Sequence, residues 1–493
     1  CEGSVRSPVQ GFRASIFVVT YVMARFFGAA AYGQSRVALS LLSLLLPVTV
    51  LALGQSLIKF IPQYRIQKDE ASLAAAIRLA YGYGLAASLL VALGLFLLRD
   101  VVAVRIFHEP ALATTLGLAA FAIPFMTGLR ISGGLFTAYQ VTHVPLMHNE
   151  LTVRLTILGG LGLLILSGWT TGAGILAAHA AGHALALGWV LLAARRLPLP
   201  PLAAPVADTG PARRDLLRFS FTMLFAAISV SALGTTDTLM IGYYLDPRQV
   251  GIYNVADRLT DLSNIFIISV STIYAGVASE LFAGRRLEEL GRVSQAVAKW
   301  LFTALLPLVA TFLVFPRTLV GVFGAEYADG AACLVIITLG LLVRCGTLAT
   351  GPLLLALCGH ERVVVVNNAF TLLLNIGLNA WWIPRHGIAG AAWATTVTRA
   401  LMGVVWLVET RRRLGLWPLA RRHLWLLANA AVAAAVALGA RAVADHWLAA
   451  LLSFGASLAA GTLISLHTGA GLPDSLVGRL PAWLRQLMGS GAR

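Results

Sequence analysis

Charge is what this chain has least of. Only 12% of its 493 residues are Asp, Glu, Lys or Arg, against 58% hydrophobic. Soluble domains carry roughly 25% charged residues, so a soluble globular protein of this length is excluded. Cysteine is also scarce. Cys1, Cys333, Cys345 and Cys358 form no CxxC pair, so neither a disulfide framework nor a thiolate metal site is implied. The last three read as buried bystanders. Lysine is almost missing: Lys59, Lys68 and Lys299 are the only three, and none follows a glycine. A Walker A lysine is therefore excluded, and with it an ATP-driven pump of the P-loop kind in this chain. Long hydrophilic loops are lacking too, which leaves no segment to fold as a soluble catalytic domain. No catalytic residues are assigned, and the chain reads as a non-enzyme.

What is there is apolar sequence in membrane-sized pieces. Fourteen stretches of about 20 residues are each long enough for a bilayer core. They lie near 12–31, 37–58, 73–98, 111–138, 147–168, 173–194, 216–244, 250–278, 294–315, 330–357, 363–383, 388–408, 423–443 and 446–466. No small-residue cleavage site follows the first, which reads as a retained span rather than a signal peptide. Arginine supplies 34 of the 37 basic residues behind the +16 net charge. Such a basic chain could bind nucleic acid, but the placement argues against that partner. With the N-terminus inside, 25 Lys/Arg fall at inner loops and tails, 7 at outer ones and 5 within spans. This is the positive-inside bias, and it places both termini in the cytoplasm.

The chain also repeats itself. Phe26-Phe27-Gly28 and Tyr32-Gly33 are echoed by Tyr243-Tyr244-Leu245 and Val250-Gly251-Ile252-Tyr253. Arg105-Ile106-Phe107 is echoed by Gly321-Val322-Phe323, and Ala138-Tyr139-Gln140 by Leu357-Cys358-Gly359. Six spans per copy return the chain to its starting side, so the copies are parallel repeats, a transporter pattern. The organisation expected is a first lobe over 1–196, a Pro/Ala-rich cytoplasmic linker over 197–212 and a second lobe over 213–414. Two extra spans follow within 415–470. A cytoplasmic tail over 471–493 places Leu476, Leu480, Trp483, Leu484 and Leu487 at the spacing of a short interfacial helix.

Charges within spans are costly and ask for a partner or for water. The candidates are Arg25, Arg130, Asp237, Asp257, Arg258, Asp261, Arg344 and Arg399. Arg25 reads either as a snorkelling interface arginine or as an anion contact. Arg258 reads as a local partner of Asp257 or Asp261, the latter three residues on along one helix face, or as a ligand-binding group. Asp237 fits a proton site, a cation ligand or a structural acceptor. Asn375 and Asn379 share a helix face. With Thr395 and Thr398 they offer hard-cation oxygens or interhelical hydrogen bonds. His179 and His183, four apart, read as packing rather than metal binding.

Leu216-Leu217-Arg218-Phe219-Ser220, Asp237 through Tyr243, Val250 through Tyr253 and Ala256-Asp257-Arg258-Leu259 follow one another in a recognisable order. Phe323 through Tyr327, Gly351-Pro352, Asn375 through Asn379 and Ile383 through Ala392 continue it, with Gly33 and Ile61-Pro62-Gln63-Tyr64 in the first copy. Over roughly 15–415 the chain resembles the polysaccharide flippases of the multidrug/oligosaccharidyl-lipid/polysaccharide exporter superfamily, with likeness to the lipid II flippases. The resemblance implies an all-α polytopic membrane protein of about fourteen transmembrane helices. Two parallel six-helix lobes would form a V (MOP/MATE-like), with two further C-terminal helices.

It also implies a substrate, a polyprenyl-diphosphate-linked oligosaccharide. The substrate would pass from the cytoplasmic to the periplasmic leaflet of a bacterial inner membrane by alternating access. The purpose would be O-antigen, capsule or exopolysaccharide assembly, with glycan polymerase and assembly proteins as partners beside membrane lipid. Arg25, Arg258, Asp257, Asp261 and Lys59 are the substrate-binding candidates. Asp237, Asn375, Asn379 and Thr395 are the ion-coupling candidates, with Na⁺ or H⁺ as coupling ion and no other cofactor or metal. Two departures separate this chain from the lipid II group. Asn379 is neutral where that group can carry an acid, and no arginine lies between Arg36 and Lys59. The alternatives are a drug/cation antiporter of the same superfamily and a lipid II flippase.

Overall fold

The computed structural model describes residues 8–141, 144, 147–200, 210–347, 351–417 and 425–467. Every regular element among them is helical. Hydrocarbon offers no water to backbone N–H and C=O groups, so a spanning segment must satisfy them internally. In chain order the helices are α1 (Pro8–Val50), α2 (Leu53–Gln67), α3 (Glu70–Val101), α4 (Leu112–Ala138), α5 (Val153–Leu166) and α6 (Gly172–Ala194). Next come α7 (Gly210–Tyr244), α8 (Pro247–Thr260), α9 (Ser263–Ala283), α10 (Leu287–Val314), α11 (Pro316–Gly321) and α12 (Ala331–Thr347). The last are α13 (Gly351–Leu357), α14 (Glu361–Leu414), α15 (Trp425–Val443) and α16 (Trp447–His467). The expected tail helix over 471–493 and most of the linker over 197–212 lie outside the described residues.

Among the described residues eleven helical stretches are long and apolar enough to cross a membrane, where the apolar pattern predicts fourteen separate spans. The difference has a physical origin. Two of the eleven, Ser15–Gln67 and Arg362–Leu414, run 53 residues each. α1 is two helices joined at Gly28 (φ 79°, ψ 166°), and α14 two joined at Gly387 (φ 60°, ψ −142°). Those dihedrals are open to glycine and steeply unfavourable for other residues, so one residue does the work expected of a loop. The fifth expected span is the shorter helix Val153–Leu166.

The chain divides into two compact units, residues 1–254 and 255–493, and the division falls inside α8. In the first unit α2, α3 and α4 share a core that includes Leu53, Leu57, Ile77 and Leu135. Here the first pair of echoed motifs comes into direct contact. A Cβ built on Gly33 would lie 1.6 Å from the Pro247 carbonyl oxygen, and one on Gly251 would lie 2.2 Å from that of Ala29. Glycine lets the two backbones cross at that separation, the usual function of small residues between membrane helices.

In the second unit the hairpin of α15 and α16 packs against α10 through Ala433, Ala437, Ala449 and Ala450, beside Ala310 and Val314. Polar ties fix it. The buried Lys299 donates from Nζ to the Ser465 carbonyl at 3.0 Å, and the Thr303 and Ser465 hydroxyls lie 2.8 Å apart. Arg441 donates to the Val314 carbonyl at 2.6 Å. The two extra helices are thus built into this unit.

The other echoed motifs turn out to be matching helix ends. Ala138-Tyr139-Gln140 closes α4 with Val141 N–H donating to Phe136 C=O at 2.9 Å and Gln140 at φ 62°. Leu357-Cys358-Gly359 closes α13 the same way, with His360 N–H donating to Leu355 C=O at 2.8 Å and Gly359 at φ 80°. Both are left-handed caps that recover carbonyls stranded at a helix end. Phe107 and Phe323 are both buried and each precedes a residue of positive φ, His108 and Gly324.

Candidate functional site

Each copy's second span is interrupted. In the first, α1 stops at Val50 and α2 starts at Leu53, with Leu51 and Ala52 left-handed between them (φ 50° and 51°). In the second, α8 stops at Thr260 and α9 starts at Ser263. There the chain tightens: Leu262 N–H donates to Leu259 C=O at 3.2 Å and Asn264 N–H to Asp261 C=O at 2.9 Å. Apolar periodicity does not register such breaks. Paired interruptions at corresponding places in two repeats point to a transporter's binding region.

The break in the second unit carries charge. Arg258 bonds Asp261 at 2.9 Å, and Asn264 donates to the other oxygen of that carboxylate at 2.9 Å. Asp257 lies 3.8 Å from Arg399 of α14. Two arginines and two aspartates are partly buried as balanced pairs, which lowers the cost of holding them in an apolar setting. Asn379 Nδ2 donates to Asn375 Oδ1 at 3.1 Å, both side chains being buried. Thr395 is buried on α14 one turn before Arg399, and the nearby buried Thr398 hydroxyl has no hydrogen-bond partner among the described residues.

In the first unit Asp237, on α7, accepts from the buried Tyr253 hydroxyl at 2.9 Å. Beside it Arg36 Nε donates to Asn254 Oδ1 at 3.0 Å, and Asn254 also bonds Thr238 at 3.2 Å. Lys59 sits after the first interruption with its ammonium 4.3 Å from the Phe219 ring centre and 5.0 Å from that of Phe60, a cation–π pair. Arg25 is exposed on α1, one turn before the Gly28 bend. His183 Nδ1 bonds the His179 carbonyl of its own helix at 2.6 Å.

Sequence reading thus names Asp257, Arg258 and Asp261, and the structure gathers them at one helix break. It names Asp237 but misses Tyr253, and misses Arg36 and Asn254 altogether. Arg36 and Asn254 are 218 residues apart in sequence, so no local pattern connects them.

The sequence model of the polysaccharide biosynthesis protein family matches residues 12–274. The chain belongs to that family. The MatE model matches residues 223–381 of this family member. The Probable low-salt glycan biosynthesis flippase Agl15 of Haloferax volcanii is 26% identical over 194 residues, 39% of this chain and 41% of the relative. The Probable flippase AglR of the same organism is 26% identical over 175 residues, 34% of this chain and 36% of the relative. The match therefore spans well under half the length of either relative. Among solved structures, the lipid II flippase MurJ in an inward closed conformation superposes with a TM-score of 0.73 at 15% identity. That covers 94% of this chain and 99% of MurJ. An inward-facing multidrug resistance MATE transporter of the MOP superfamily gives 0.70 at 12% identity over 81% of this chain and 94% of its own. These likenesses fix the fold as MurJ- and MATE-like.

Proposed function

We propose that this protein is a flippase that moves a polyprenyl-diphosphate-linked oligosaccharide from the cytoplasmic to the periplasmic leaflet of a bacterial inner membrane. It would work by ion-coupled alternating access, with both termini cytoplasmic, and supply O-antigen, capsule or exopolysaccharide assembly. The observation that carries this reading is the interrupted span of α8 and α9, with Asp257, Arg258 and Asp261 at the break, in a chain of the polysaccharide biosynthesis family. Ionisable groups inside spans mark substrate and ion routes. A diphosphate needs guanidinium partners, and arginine meets phosphate oxygens in a bidentate fork.

Arg258 is the first assigned phosphate contact. In the present state Asp261 occupies it at 2.9 Å, so a diphosphate would bind by displacing a carboxylate. Asp257 holds Arg399 at 3.8 Å and would release it by the same exchange. Arg25 and Lys59, both of the first unit, are the further cations assigned to the lipid head group. Asp237, Asn375, Asn379 and Thr395 are the assigned oxygen donors for the coupling Na⁺ or H⁺. Tyr253 donates to Asp237, and a bound cation would compete with that hydroxyl.

The test is direct. In cells depending on this protein, Arg258→Ala should abolish export of the glycan, leave the protein in the membrane, and accumulate lipid-linked sugar on the inner leaflet. Normal export with Arg258→Ala would remove Arg258 from the site. A drug/cation antiporter on the same fold is the second reading, favoured by the MatE match over 223–381. Drug efflux untouched by loss of Arg25 and Arg258 would support it over the first.

A further inference from the structure

A cavity of about 650 Å³ lies wholly within the first unit, between α1, α3 and α7. Its volume is in the range of ligand pockets. Leu41 and Leu45 of α1 and Leu239 and Met240 of α7 line it, facing Gly94 and Leu98 of α3. Its lining is hydrocarbon apart from the Met240 thioether and the hydroxyls of Tyr243 and Tyr244. From Val91 to Ile106 the wall rises on the order of 20 Å at 1.5 Å per helical residue. Leu93, Leu97, Leu98 and Ile106 are exposed around it, so its mouth opens on the helix surface that meets acyl chains.

The cavity is apolar along its length and polar at one lip. Tyr243 and Tyr244 stand there, both exposed, as tyrosines stand at membrane interfaces. His108 packs 6.2 Å from the Tyr243 ring, and Arg105 is exposed in the turn between the lining residues Val102 and Ile106. Asp100 is taken up by Arg99 at 3.7 Å, and Glu109 lies 3.5 Å from the Gln34 amide. An apolar slot with the exposed Arg105 guanidinium beside His108 at its lip fits one hydrocarbon chain ending in an anionic head.

We infer that this cavity binds the isoprenoid chain of a polyprenyl phosphate or diphosphate, with the phosphate at Arg105 and His108. The inference rests on the flippase reading for the identity of the chain, and extends it to where the tail is held. In the N-inside orientation the lip lies at the outer leaflet, so the cavity receives the lipid after its head group has crossed. Met240 follows Asp237 by three residues on α7, so a chain in the cavity touches the turn that carries the assigned coupling acid. Tail occupancy and the ion site would then be linked through a single helix.

The position of Gly94 makes the idea testable. A Cβ built there meets nothing within 4 Å, so Gly94→Phe adds a ring to the cavity lining with no clash at its Cβ. The full chain in phosphatidylcholine nanodiscs would be labelled with a long-chain polyprenyl phosphate bearing a diazirine on its tail. The expected label maps to residues 91–107 and 239–244. A tenfold excess of unlabelled polyprenyl phosphate removes it, and the same excess of phosphatidylglycerol does not. Gly94→Phe lowers the label at least tenfold. Arg105→Ala lowers labelling by the phosphate but not by the matching neutral polyprenol. Label at other residues, or equal competition by phosphatidylglycerol, would overturn the assignment. If Gly94→Phe does not fold, the map and competition on the unaltered chain decide. Label at this cavity without translocation would count against the flippase reading alone; translocation without label here would count against the cavity alone.

Discussion

In the proposed function Asp261 and a substrate diphosphate would compete for one guanidinium, so the carboxylate would set how tightly Arg258 holds its cargo. Asp261→Asn removes the charge but keeps an acceptor for Asn264. It should tighten binding of the lipid diphosphate and slow its release, read as a lower Kd with a lower translocation rate. Arg258→Ala should weaken the same binding on the order of 10- to 100-fold, the loss of a charged hydrogen-bond partner. Unchanged affinity in both variants would remove this pair from the site. At Gly33 the constraint is steric. Its would-be Cβ sits 1.6 Å from the Pro247 carbonyl oxygen, whereas one on Gly188 meets nothing within 4 Å. Gly33→Ala should abolish the monodisperse peak in detergent and Gly188→Ala should leave it intact.

The helices owe their ends and docking to local chemistry that single substitutions can probe. α3 starts at Asp69, whose carboxylate accepts the Ser72 N–H at 2.9 Å. The hydrogen bonds from Ser72 hold that carboxyl below its ordinary range. Asp69→Ala should cost about 1 kcal/mol, seen as a lower thermal midpoint in detergent. A group with a depressed folded pKa stabilises above its unfolded pKa, so this loss should shrink as the pH falls through the acid range. The α15–α16 hairpin depends on Lys299. Lys299→Met should destabilise it by roughly 1–3 kcal/mol by removing the ammonium's hydrogen bond to the Ser465 carbonyl, read as faster proteolysis between α14 and α15. Where the spans lie was legible from hydropathy, because a bilayer demands about 20 apolar residues. How they join was not. Gly28 and Gly387 each make a bend with one residue, and the breaks at 51–52 and 261–262 fall within stretches that hydropathy reads as single spans. Asp237 and Arg258 were legible because charge stands out in an apolar run. Tyr253 and Asn254 were not, since their meaning comes from partners on other helices.

The whole chain combines two compact units, matching helix caps in each, and a polysaccharide-biosynthesis signature over residues 12–274. Charge gathers where the span of α8 and α9 breaks, and hydrocarbon lines a cavity of the first unit. These features fit a machine that handles an amphiphile by its two ends separately. The most direct measurement is translocation itself. The purified full chain would be reconstituted into vesicles holding a fluorescent polyprenyl-diphosphate oligosaccharide, with a membrane-impermeant glycosidase added outside. With a Na⁺ or H⁺ gradient imposed, the digested fraction should rise from about half toward completion in vesicles carrying the unaltered protein. It should stay at about half in protein-free vesicles and in those carrying Arg258→Ala. Digestion that halts at half with the unaltered protein, under either gradient, would contradict the assignment of this chain as a lipid-linked oligosaccharide flippase.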